Sequence, residues 1–175
     1  MSETIYTIGH STHPIEAFIK ILRAFEVGLV ADVRTIPKSR HNPQFNQDNL
    51  KEELLKQKIE YIHLTSLGGL RRTTNASLNT AWKNASFRGF ADYMQTPEFR
   101  AGMEQLIELA SKQRTVIMCA EAVPWRCHRS LIADSLIVRK IRVEDIMNAK
   151  TSKRHALTPW AHVDGEKITY PAKSE

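Results

Sequence analysis

Short runs of apolar, β-branched residues alternate along this chain with longer stretches of helical period. No other feature constrains the fold as much. Ile5-Tyr-Thr-Ile8 precedes Ile15 to Phe25, which is periodic at Phe18, Ile19, Leu22 and Phe25. Ser11 or Thr12 is placed to cap that helix. Gly28-Leu-Val-Ala31 precedes a polar helix from Asn46 to Gln57 with a leucine stripe. Ile59 to Leu64 alternates as a strand. Thr73 to Ala85 is polar and irregular, with Trp82 as its anchor. Phe87 to Gln95 and Thr96 to Lys112 read as helices, the second with Pro97 and Glu98 in its first turn. Thr115-Val-Ile-Met118 precedes the helical stretch Ser130 to Arg139, and Arg142 to Met147 makes a fifth strand. The alternation predicts a single-domain, three-layer α/β fold with a mostly parallel sheet. Right-handed crossovers then bring the carboxyl ends of the strands to one edge, where ligands bind. With no repeat or linker in view, residues 1–150 read as the α/β domain. The basic tail, 151–175, reads as packed on the same domain.

The predicted edge gathers His10, Ser11, Asp32, Arg34, the Pro37–His41 loop, Gly68, Gly69, Arg71, Cys119, Glu121, Cys127, His128 and Arg129. Any one of these is better explained by a solvated loop; their joint fall at strand ends is the signal. The densest stretch is Cys119 to Arg129. Cys127 falls where the next helix begins, and the field of a helix N-terminus with Arg126 and Arg129 favours thiolate there. Arg126, His128 and Arg129 suit phosphate or carboxylate. Glu121 is a candidate general base or a partner for one of the arginines. Against this stands the habit of free cysteine as a small buried hydrophobe, which fits Cys119 equally well. The Cys-x7-Cys-His spacing is not that of a zinc site. A phosphatase-like Cys-x5-Arg is also missing, since Trp125 stands where the arginine is needed.

A hydrophobic content of 42% with 25% charged residues fits a globular domain and leaves no run long enough to span a membrane. Met1-Ser-Glu-Thr4 lacks a signal pattern, and two cysteines do not make a disulfide framework. A reducing cytoplasm is the simplest compartment. The net charge of +6 and pI near 9.4 point to an anionic partner, either a small molecule or nucleic acid. No membrane partner is expected, and neither a cofactor nor an oligomeric state is legible.

Tyr6-Thr-Ile-Gly-His-Ser11, Asp32-Val-Arg34, Leu67-Gly-Gly69 with Arg71, Phe90-Ala-Asp-Tyr-Met94, Cys119-Ala-Glu121 and Cys127-His-Arg-Ser130 together resemble the DUF488 family of small bacterial and archaeal proteins. The likeness runs from about Ile5 to Val138, and Leu157-Thr-Pro-Trp160 fits the family's usual ending. It implies a layered α/β fold and a pocket built from these motifs. As motif positions it carries over His10, Ser11, Asp32, Arg34, Ser39, Arg71, Tyr93, Cys119, Glu121, Cys127, His128 and Arg129. It implies no reaction.

The residues support several readings. The first is an enzyme whose Cys119 or Cys127 thiolate attacks an electrophile, with Arg34, Arg71 and Arg129 on an anionic group and His10 or Glu121 moving the proton. The second uses Asp32 or Glu121 as a general base over structural cysteines. The third is a nucleic-acid or nucleotide binding module, with Trp125, Phe45 or Tyr93 stacking on bases. His10, Cys119, Cys127 and His128 are the one combination that would hold a metal, and this ranks last. The anion-pocket enzyme ranks first, because simple phosphate binding needs neither thiols nor acids.

Overall fold

Every residue of Thr115–Cys119 is buried, so this strand must lie inside a sheet covered on both faces. The computed structural model, which describes residues 4–172, places it there. A six-stranded sheet runs in the order β3-β2-β4-β1-β5-β6. Its strands are β1 (Thr4–Gly9), β2 (Leu29–Asp32), β3 (Glu60–His63), β4 (Thr115–Cys119), β5 (Arg142–Ile146) and β6 (Ser152–Arg154). All neighbours are parallel except β5 and β6. Five helices connect them: α1 (Ile15–Ala24), α2 (Gln47–Lys56), α3 (Ala85–Tyr93), α4 (Pro97–Lys112) and α5 (Arg129–Val138).

Side chains alternate across a strand, and here the alternation divides the core in two. Ile8, Val30, Val116, Met118 and Ile146 pack against α1 and α2 through Phe18, Leu22, Leu50 and Leu54. Ile5, Ala31, Ile117, Cys119 and Val143 pack against α3, α4 and α5 through Phe90, Phe99, Met103, Leu131 and Leu136. The result is the expected three-layer α/β fold. No helix of the described residues is long and apolar enough to cross a membrane.

The helix boundaries show why the sequence signals worked and where one failed. Asn84 caps α3 by accepting from the N–H groups of Ser86 and Phe87, and Thr96 caps α4 by accepting from Phe99. Neither Ser11 nor Thr12 caps α1, which begins after Pro14 without a side-chain cap. Ser11 is instead held in the left-handed region, with φ at 48°, and its N–H donates to the Ala120 carbonyl at 3.0 Å. The loop after β1 is thus shaped by the loop after β4, not by its own helix.

Residues beyond Lys150 contribute β6 and a hairpin of β7 (His162–Asp164) and β8 (Lys167–Thr169) that turns at Gly165, where φ is +63°. Tyr170 is fully buried and its hydroxyl donates to Asp134 of α5. Trp82 lies 5.5 Å from the Tyr170 ring and 5.3 Å from Trp160. His155 sits between two buried carboxylates, 2.9 Å from Asp134 and 3.5 Å from Asp145. Burial alone would favour its neutral form; the two hydrogen bonds and the two negative charges outweigh burial and raise its pKa to about 9.

A histidine whose pKa rises on folding stabilises the fold fully below its unfolded value, about 6.5, and loses that contribution as pH climbs through the folded value. Thermal melting between pH 6 and pH 10 is therefore expected to show a fall in Tm that begins above about pH 6.5 and is complete just past pH 9. His155→Gln should be less stable at pH 6 and flat across that window. An unchanged pH profile in the variant would remove this clasp from the account.

Candidate functional site

The site follows from the strand order. β4 lies between β1 and β2, whose following helices α1 and α2 share one face, while its own helix α5 lies on the other. Chains leaving adjacent strands toward opposite faces open a crevice at their carboxyl ends. A cleft of about 400 Å³ occupies that position. Its walls come from the chain after β2 (Arg34, Thr35, Ile36, Lys38), the loop after β3 (Gly69, Leu70), the start of α3 (Asn84, Ser86, Phe87) and the segment after β4 (Cys119 to Glu121, Arg126 to His128).

Two glycines allow this convergence. A Cβ on Gly9 would stand 1.6 Å from the Glu121 carbonyl oxygen, so only glycine lets the loop after β4 close over β1. A Cβ on Gly69 would stand 2.5 Å from Nδ1 of His128.

Both cysteines lie at the cleft floor, free and almost without exposure, at 2% and 6%. Burial opposes ionisation of both. At Cys127 burial wins, reinforced by the neighbouring Cys119, and the thiol is pushed well above its usual range. At Cys119 the hydrogen bond from Cys127 and the charge of Arg129 outweigh burial and hold its pKa below the usual value. The bias toward thiolate thus falls at the strand end, on Cys119, and burial holds it away from Cys127 beside the helix start. The field of the helix does reach Cys127, since Arg129 N–H donates to its Sγ at 3.4 Å. Desolvation is the larger effect there.

His128 has a fixed tautomer. Its Nε2 lies 2.9 Å from the Val33 carbonyl and 3.0 Å from that of Leu67, so this nitrogen carries the proton and donates. Nδ1 is left as an acceptor 3.4 Å from Cys127 Sγ. Burial drops the pKa to about 4, which keeps the ring neutral.

Arg34 is presented to the cleft from below. Its Nε and Nη2 donate to the Asp32 carboxylate, at 2.9 and 2.7 Å, and its Nη1 lies 3.4 Å from His10 Nε2. His10 is 2% exposed; its Nδ1–H donates to the Ser11 carbonyl, its ring stacks on Phe45 at 4.2 Å, and burial lowers its pKa to about 4. Asp32 is fully buried and also accepts from Arg34 N–H and the Tyr61 hydroxyl. A carboxylate so occupied cannot serve as a general base; Asp32 and His10 position Arg34.

Arg129 is the largest fully buried side chain of the described residues. It donates to Thr7 Oγ1 and to the carbonyls of Glu121 and Ala122, each at 3.1 Å, and its Nε has no partner. It shapes the loop after β4 and acts on Cys119 through its charge; it does not line the cleft.

The remaining motif positions hold loops. Arg71 donates to the Gly68 and Thr65 carbonyls and lies 3.7 Å over the Tyr93 ring, while the Tyr93 hydroxyl donates to the Ser66 carbonyl. Ser39 donates its N–H to Asn46 and accepts from Asn42 N–H. Of the anticipated residues, then, Cys119, Glu121, Cys127, His128 and Arg34 share the cleft. His10, Ser11, Asp32 and Arg129 lie behind it. Ser39, Arg71 and Tyr93 do not line it. Lys38 and Arg126 line it and form no ion pair among the described residues. Sequence reasoning missed Asn84, Ser86 and Phe87, which arrive through tertiary packing; only the Asn84 cap could have marked a helix N-terminus there.

His10, Cys119, Cys127 and His128 do not form a metal cage. Both His10 nitrogens face protein partners, His128 Nε2 is spent on carbonyls, and no group of three or more metal-holding side chains occurs among the described residues.

The Gly9 contact can be tested directly. Gly9→Ala must displace the Glu121 backbone and is expected to cost about 3 kcal/mol of stability or more in urea unfolding. Stability within 1 kcal/mol of wild type would mean the loop after β4 is not pinned against β1.

Neither a curated protein nor a solved structure matches the chain. One family does: Domain of unknown function DUF488 matches residues 14–136. That span contains the β2 motif and the whole Cys119–Arg129 segment. The chain belongs to the DUF488 family.

Proposed function

We propose that the protein is an enzyme that binds a small anionic molecule in the β2–β4 cleft and attacks it with the Cys119 thiolate. The observation that carries this reading is the pairing of an acidified Cys119 with a fixed guanidinium, Arg34, on the same cleft. A merely structural cysteine has no need of a donor thiol, a buried cation and an opening beside it. Arg34, Lys38 and Arg126 take the anionic group, phosphate or carboxylate. Arg34's charge is met beneath by Asp32, so the net attraction comes from Lys38 and Arg126, and Arg34 supplies direction.

The reaction class is nucleophilic displacement. The thiolate lone pair forms a bond to the electrophilic atom, and the leaving group departs with the pair of its broken bond. The Cys127 thiol stands near to protonate it, since its raised pKa keeps its proton available. His128 Nδ1 lies 3.4 Å from Cys127 Sγ, a neutral acceptor beside the thiol whose one proton is given to Cys119. The alternative reading, a binding module stacking bases on Trp125, Phe45 or Tyr93, keeps only Trp125, which does not line this cleft. Phe45 is fully buried and Tyr93 is capped by Arg71.

Alkylation separates these roles without a known substrate. Iodoacetate, an anion, is expected to modify Cys119 faster than neutral iodoacetamide at pH 7, with Cys127 spared, as read by peptide mass mapping. Arg34→Gln with Lys38→Ala should reverse the preference. A preference for iodoacetamide in the wild-type protein, or modification of Cys127 first, would defeat the proposal.

A further inference from the structure

A second cleft, of about 350 Å³, lies across the Pro124–Arg126 turn from the first. That turn has two sides: Pro124 and Trp125 line the second cleft, while Arg126 and Cys127 line the first. The second cleft is mostly apolar. Its exposed walls include Trp125, at 64%, Trp160, at 43%, and Met147, at 42%. Indoles that stand this far into solvent at a cleft wall are costly unless something covers them.

Charge decides what covers them. The rim carries Lys153 and Arg154, both exposed and without an ion pair among the described residues. The carboxylate of the cleft, Asp145, is 4% exposed and already engaged by Thr7 and His155. The accessible charge is therefore positive. An apolar peptide has no use for it. A planar ring attached to a phosphate uses both features, the indoles by stacking and the cations by ion pairing. Arg126, on the other side of the same turn, and Lys38 line the first cleft and are likewise without an ion pair among the described residues. Four such cations on two clefts that share one turn fit a chain of phosphates better than a single one.

We infer that the second cleft is a base-stacking site for single-stranded nucleic acid, with Trp125 and Trp160 against a base and Lys153, Arg154 and Arg126 along the backbone. Duplex excludes its bases from such walls, so the site selects unpaired strand. This inference does not depend on the thiolate chemistry, since Cys119 is not part of the second cleft.

The test is fluorescence anisotropy of the full chain with a short labelled oligodeoxynucleotide of mixed sequence. Trp125→Ala, which alters an exposed side chain, is expected to weaken binding by roughly five-fold to a hundred-fold, the range of one lost base stack. Trp160→Ala should do the same. Lys153→Ala and Arg154→Ala should each lower the log–log salt slope by about 0.7. Cys119→Ser should bind as wild type does, so loss of strand binding and loss of alkylation selectivity would be separate failures. Unchanged affinity in Trp125→Ala, or equal affinity for duplex, would overturn the inference. So would adenosine monophosphate binding as tightly as the strand. Sedimentation showing a dimer that shields Trp125 would overturn it too, in favour of a second copy as the occupant.

Discussion

A guanidinium buried without a carboxylate beside it underlies most of what this structure does. Arg129 donates to Thr7 and to the carbonyls of Glu121 and Ala122, and it is fully inaccessible. Burying an uncompensated cation is expensive, and the carbonyl dipoles answer it only in part. Two further sources of negative charge respond. Asp145 reaches the guanidinium through the Thr7 hydroxyl, and Cys119 feels it directly as a bias toward thiolate. One charge thereby sets the path of the loop after β4, links that loop to the β5 edge, and adds to the effect of Cys127 on the thiol at the cleft floor.

The same network explains why the C-terminal segment is part of the site's support. Asp145 and Asp134 share His155, and Asp134 also accepts from Tyr170. The buried charges alternate, Arg129, Asp145, His155, Asp134, so each desolvated ion has an opposite neighbour or one bridging hydroxyl between. On the other side of the cleft, Asp32 and Arg34 form a second buried pair. Removing one member of such a pair leaves the other uncompensated, at a cost of about 3–5 kcal/mol. The cleft lies between two buried ionic assemblies.

The fold was legible because its signals are local. Apolar runs of strand length, helical periods and the Thr96–Pro97 cap each act within a few residues, and the three-layer arrangement follows from them. The hairpin at Gly165 was missed because its strands are three residues each, too short for the one apolar residue in either, Val163 or Ile168, to establish a period. The cleft's cysteines, Glu121, Arg34 and His128 were legible because a strand end is a predictable place. Their roles were less so. Which thiol is acidic depends on the balance of burial against a hydrogen bond and a charge from outside its own segment. Asp32 reads as a candidate base in the sequence, and in the fold its oxygens are filled by Arg34 and Tyr61. Arg129 looked like a phosphate ligand, and the sequence has no way to show that its chain turns inward.

The central claim is that Cys119 is the acidic thiol and that Cys127 makes it so. Titration of thiolate ultraviolet absorbance against pH tests this most directly, on wild type, Cys119→Ser and Cys127→Ala. The wild-type protein should form one thiolate below about pH 8.5, the ordinary thiol value. Cys119→Ser should lose that step and ionise only well above it. Cys127→Ala should shift it upward, because the donor to Cys119 is gone. If both thiols ionise at or above the ordinary value, or if the early step survives in Cys119→Ser, the site is not built around a Cys119 thiolate.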